Sequence, residues 1–132
     1  MINSERILRT LDENLDHSVE LTVFGRAALA LGFPDAPAAI ERTLDVDGII
    51  PLSQVRQLEE DIQFWIALEK TNRELASADL YLTHLFQEDQ IALAPGWIDR
   101  RKPINRPVCE RLIHTPASAR IGSDCFEDDA RW

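Results

Sequence analysis

Cysteine, positive charge, long apolar runs and internal repeats are all scarce or missing in this chain, and each shortage closes off a class of protein. The two cysteines, Cys109 and Cys125, stand outside any CxxC pattern, and no histidine cluster completes a zinc set around them. They read as incidental thiols rather than as a disulfide. Lys and Arg number 14 against 23 Asp and Glu, a net charge of −9. That balance disfavours DNA, RNA or an anionic membrane as the main ligand, although a bound divalent metal inverts the field locally. No apolar stretch approaches the roughly 20 residues that span a bilayer. The start, MINSERILRTL, lacks the basic region and apolar run of a signal peptide, so the chain reads as soluble and cytoplasmic. Repeats and low-complexity segments are absent.

What is present suits one compact domain with a modest core: 132 residues, 45% hydrophobic and 28% charged. Residues 3–16 predict a helix, with Asn3 or Ser4 as cap and Ile7, Leu8, Leu11 and Leu15 on one face. VELTVF at 19–24 alternates with period two and predicts a strand. Gly25 stops it, and RAALAL at 26–31 resumes with strong helix formers. Residues 32–41, with two prolines and a glycine, predict an irregular connection. A second strand is expected at 42–50.

Ser53 then caps a predicted long helix through about residue 75. Val55, Leu58, Ile62, Trp65 and Ile66 form its expected buried stripe, and the acidic residues 59–61 its solvated face. Residues 80–86 and 90–94 predict a hairpin around the turn 87–89, placing His84 in the core with Leu80, Leu82 and Phe86. Trp65 and Trp97 are expected as packing residues. The order of elements is that of an α/β domain over residues 1–99. From residue 100, with Arg100, Arg101 and Lys102 and then three prolines, neither periodicity persists, so an irregular tail is expected over 100–132.

The chemistry-bearing feature is Asp45 and Asp47. Alternate residues of a strand share a face, so these carboxylates stand side by side, about 7 Å apart along the chain. Two such charges repel and are costly to bury together, a cost that a magnesium ion removes while also holding nucleotide phosphates. Thr43 shares their face and offers a hydroxyl. Gly25 at the strand-to-helix turn lets a ligand approach the backbone and the first helix amides. Arg26 adds a charged contact, or else is a surface residue or pairs with Asp35 or Glu41. Taken singly, an Asp-x-Asp pair is a common solvated feature of strand ends and a glycine after a strand is an ordinary turn. The sequence of strand, glycine, helix and acidic strand is far more specific than its parts.

VELTVFGRAALAL followed by ERTLDVDGII resembles the polymerase-β-type nucleotidyltransferase superfamily, most closely its small bacterial branch related to abortive-infection, type IV toxin–antitoxin proteins. Gly25 matches the first glycine of that family's turn, and Thr43, Asp45 and Asp47 match its acidic strand. The resemblance spans roughly residues 15–98. It implies a mixed sheet of about four strands flanked by helices, Mg2+ held by Asp45 and Asp47, and a nucleoside triphosphate as donor to a hydroxyl. It equally admits an inactive relative that acts through contact with an antitoxin-like protein partner. Two positions depart from the pattern. Arg26 replaces the second small residue of the turn, and Thr83 and His84 stand where a third carboxylate is usual, with Glu88 and Asp89 in the following turn. The last segment adds a further expectation. Codons compatible with ARIGSDCFEDDARW, read one nucleotide on, spell Gly-Leu-Asp-Leu-Ile-Ala-Ser-Lys-Met-Met-Arg-Gly, which resembles the helix following the sheet in this branch. On that reading a frameshift has replaced or truncated the C-terminal part.

Overall fold

The computed structural model describes residues 2–32, 42–93, 95–101 and 107–116. The predicted connection 32–41 therefore falls almost wholly outside the described residues, as do Asp35, Glu41, Cys125 and residues 119–132, on which the frameshift expectation rests. Four strands form one mixed sheet in the order β3-β2-β1-β4. They are β1 (Val19–Phe24), β2 (Asp45–Ile50), β3 (Tyr81–Gln87) and β4 (Leu112–Pro116), joined by helices α1 (Asn3–Asn14), α2 (Arg26–Gly32), α3 (Val55–Glu59) and α4 (Ile62–Leu75). The fold is α/β, a mixed four-stranded sheet flanked by helices. Strand β1 runs antiparallel to β2, pairing Thr22 with Ile49 and Phe24 with Asp47. Strand β4 lies parallel to β1, and β3 parallel to β2. Among the described residues no helix is long and apolar enough to cross a membrane.

The core lies between one sheet face and α1, α2 and α4. The α1 stripe is buried as its spacing predicts, with Ile7, Leu8 and Leu11 fully enclosed and Leu15 nearly so. Each such side chain contributes about 2 kcal/mol by leaving water. The helix is not capped by Asn3 or Ser4: Ile2 holds the cap position without a side-chain bond, and Ser4 turns into the core. Gly48 sits on the inner face of β2, where a Cβ would stand 2.6 Å from Leu85 Cδ2 and 3.2 Å from the Thr22 carbonyl oxygen. The missing side chain lets β1 and β3 residues close over this point.

The single helix predicted over 53–75 is broken. A short 3-10 turn at Leu52–Gln54 and α3 precede a restart at Asp61, whose Oδ1 accepts the Phe64 N–H at 3.0 Å. This cap resets the helical phase. Phe64, Ala67, Thr71 and Leu75 become the buried row, while Ile62, Trp65 and Ile66, expected inside, are 71%, 37% and 59% exposed. Trp65 is not idle, because its Nε1 donates to the Leu58 carbonyl at 2.8 Å and staples the break. Leu58 is buried as predicted.

The predicted hairpin does not form. After β3 the chain makes a 3-10 turn at Glu88–Gln90, closed by reciprocal side-chain bonds of Gln87 and Gln90, and residues 91–93 take no strand pairing. Instead Ile91 and Leu93 pack with Phe24 around buried Ile49 and Trp97 on the other sheet face. The fourth strand comes from residues read as irregular tail. Asp12 of α1 accepts the backbone N–H groups of Glu110, Arg111 and Leu112 at 3.0, 2.7 and 2.9 Å, and the Arg111 carbonyl accepts the Val19 N–H. A buried carboxylate thus starts β4, so the sheet extends beyond the expected boundary at residue 99. Arg101, from the basic run, donates to Thr22 Oγ1 at 2.8 Å and Glu20 Oε1 at 3.2 Å, with its guanidinium over Trp97. It is a structural cation. Cys109 is a free, half-buried thiol, pushed up to about 11 by burial and then by the charge of Asp12, so it stays protonated.

Candidate functional site

At the Phe24 end of β1 the chain turns through Gly25, whose φ of +76° lies in the left-handed region. The Gly25 carbonyl accepts the Leu29 N–H at 3.2 Å, opening α2 directly from the strand. Arg26, the next residue, is exposed and carries no ion pair among the described residues. Antiparallel pairing of β2 then sets Asp47 opposite Phe24. Strand alternation leaves Asp45 and Asp47 on the outer face, while Val46 between them is fully buried in the core. Helix α2 is fixed behind the turn by Ala27, Ala28 and Leu31, small and apolar enough to embed in the core.

These elements converge on a cavity of about 230 Å³ lined by Phe24, Arg26, Ala27, Thr43, Asp45 and Asp47. Four of the five residues singled out in the sequence line it, and Gly25 joins two of its lining residues. Beside Gly25 the space where a Cβ would stand is open to 4 Å. The Asp45 carboxylate has no hydrogen bond or ion pair among the described residues, so both its oxygens are uncommitted there. The Thr43 hydroxyl is buried and likewise has no hydrogen-bond partner among the described residues.

Asp47 is held from one side. Thr83 Oγ1 donates to its Oδ1 at 2.7 Å, and His84 Nδ1 lies 3.4 Å from the same oxygen. Both neighbours reach Asp47 because the register of β3 slips at this point: Val46 pairs with Leu82, but Asp47 pairs with His84. One extra residue, Thr83, is accommodated as a bulge. The slip also overturns the expectation that His84 is a core histidine. Beyond the bulge Leu85 turns inward against the core and His84 outward, its side chain 62% exposed. His84 instead stacks on Phe86 at 5.2 Å and 11°, and Phe86 meets Phe24 edge-on at 5.8 Å. Sequence reasoning sets Thr83 and His84 near the place of a third carboxylate, but strict alternation puts them on opposite faces, so their joint contact with Asp47 is not foreseen.

The donor set can be weighed against the metal that the resemblance implies. Two carboxylates, one uncommitted and one with Oδ2 unbonded among the described residues, supply hard oxygens of the type magnesium takes. Magnesium ordinarily completes its shell with water and substrate phosphate rather than with protein alone. Among the described residues no three His, Cys, Asp or Glu side chains are grouped to hold a metal by themselves. The residues fit a metal shared with a ligand, not a self-sufficient protein cage. Compared with known proteins, the chain matches no family model, no curated protein and no solved structure.

Proposed function

We propose that this chain is a nucleotidyltransferase-like protein that binds a nucleoside triphosphate with Mg2+ and passes the nucleotidyl group to a hydroxyl, breaking the α–β phosphoanhydride bond and releasing pyrophosphate. The observation that carries the reading is the meeting of Asp45, Asp47, Thr43 and Arg26 in one cavity beside the open backbone of Gly25. Asp45 and Asp47 would hold the metal, which when bound would supply positive charge to offset that on the phosphate. Arg26, a fixed cation with planar donors, contacts phosphate oxygens. The partnerless Thr43 hydroxyl donates to a ligand oxygen. Thr83 orients Asp47 by occupying Oδ1, which turns Oδ2 to the ligand.

A second reading has its own support. Thr83 and His84 occupy the β3 positions beside Asp47, and neither supplies an anionic oxygen to activate an attacking hydroxyl. An inactive relative that retains nucleotide binding and acts through a protein partner fits that substitution. The two readings separate on transfer of an α-phosphate label from each of the four triphosphates in the presence of Mg2+. Label appearing on protein, RNA or a small acceptor, and lost in Asp47→Asn, supports transfer. Magnesium-dependent binding without transfer supports the inactive relative, and no magnesium-dependent binding to any triphosphate sinks both.

A further inference from the structure

The Val19 end of the sheet, opposite the carboxylate cavity, carries a larger cavity of about 430 Å³ walled by His17, Glu20, Gln57, Leu58, Asp61 and Arg101. One wall is a joint between the α1–β1 turn and the start of α4. His17 Nδ1 lies 2.7 Å from Asp16 Oδ1, and Nε2 lies 2.6 Å from Asp61 Oδ2. A carboxylate oxygen only accepts, and a neutral imidazole has a single N–H. Both contacts are satisfied at once only by the imidazolium. In the neutral ring one nitrogen lone pair would face an anionic oxygen at the same short distance.

The joint is part of the fold's framework. Asp61 caps α4 through its other oxygen, accepting the Phe64 N–H. The Asp16 N–H donates to Gln63 Oε1 at 3.3 Å, and Gln63 Nε2 donates to the Asn14 carbonyl at 3.0 Å. Among the described residues the charged groups facing His17 are Asp16 from the turn before β1, Asp61 from the α3–α4 junction, and Glu20 and Arg101 across the cavity. The last two pair with each other at 3.2 Å, leaving the two aspartates to set the local field.

We propose that protonated His17 is a latch that ties the α1–β1 turn to the start of α4, and that its deprotonation releases this wall of the larger cavity. The hydrogen bonds to Asp61 and then Asp16 raise the imidazole above its ordinary 6.5, with burial opposing them. A raised value fixes the sign. The stability that the latch contributes is fully present below pH 6.5 and is lost as pH rises through the higher folded-state value. This device is independent of any nucleotide bound at the other end of the sheet.

The test is an NMR titration of the full chain, reading the His17 ring nitrogens and the backbone amides of Asp16 and Phe64. The latch predicts both ring nitrogens protonated at pH 6.5, a midpoint above that value, and amide shifts of Asp16 and Phe64 that follow the same midpoint. Asp16→Asn, a change at an exposed side chain, is expected to lower the midpoint, and His17→Gln to flatten the Phe64 shift between pH 6 and 8. A His17 midpoint at or below 6.5 overturns the proposal. So do Asp16 and Phe64 amides that stay flat through the titration, or a midpoint unmoved by Asp16→Asn.

Discussion

At Gly25 the positive φ and the open space beside it separate two effects that usually coincide. A methyl group there meets nothing, so Gly25→Ala costs only its backbone strain, about 1–2 kcal/mol. The expected outcome in chemical denaturation is a midpoint lowered by that amount with an unchanged slope. Thr83→Val tests the bulge at Asp47 in a different way. Removing a hydroxyl donor from a half-exposed carboxylate is expected to weaken magnesium-dependent nucleotide affinity by about 1 kcal/mol, roughly five-fold, with little change in stability. Titration calorimetry on the variant checks it. The acidic pair and its glycine were legible in the sequence because strand alternation fixes Asp45 and Asp47 to one face whatever surrounds them. That Thr83 and His84 both reach Asp47 was not legible, because a one-residue slip in β3 leaves no mark in residue type yet exchanges the two faces of the strand.

Elements were legible where periodicity is local and hidden where a distant residue decides. The α1 stripe and β1 follow their spacing. The row buried by α4 does not, since Asp61 restarts the helix and a phase carried over from Leu58 points Ile62 and Ile66 to solvent. Strand β4 depends on Asp12, about a hundred residues earlier in the chain, whose carboxylate gathers three successive backbone N–H groups. No pattern within 107–116 reveals that. Asp12→Ala leaves those donors without an acceptor and is expected to cost about 2–4 kcal/mol. Hydrogen exchange is the sharper readout, with protection lost first at Arg111 and Leu112. An unchanged pattern there would show that sheet pairing with β1 alone holds β4. Helix α4 grips the other edge through Asn72, whose side chain donates to the Leu82 carbonyl at 3.1 Å and accepts the Leu82 N–H at 2.8 Å. A side-chain amide thus occupies the free edge of β3 as a neighbouring strand would.

Across the whole molecule the sheet has two chemically distinct ends: carboxylates, arginine and a glycine turn at one, the His17 joint at the other. Opposed titrations follow. Burial alone raises the Asp12 carboxyl, but the N–H groups of Glu110, Arg111 and Leu112 and the charge of Arg111 outweigh it and hold it below its ordinary 3.8. Its contribution to stability is therefore complete above that value and lost as pH falls through the lowered one. Thermal melting across pH is expected to show an acid-side decline that Asp12→Asn reduces. The neutral charge change at His17 acts in the other direction, above 6.5.

The central claim concerns the carboxylate end, and equilibrium binding of a triphosphate with and without Mg2+ tests it most directly. The account predicts binding by the wild type that requires magnesium, and its loss in the Asp45→Asn, Asp47→Asn double variant while the melting temperature is retained. Equal binding with and without magnesium, or undiminished binding by a folded double variant, would contradict it.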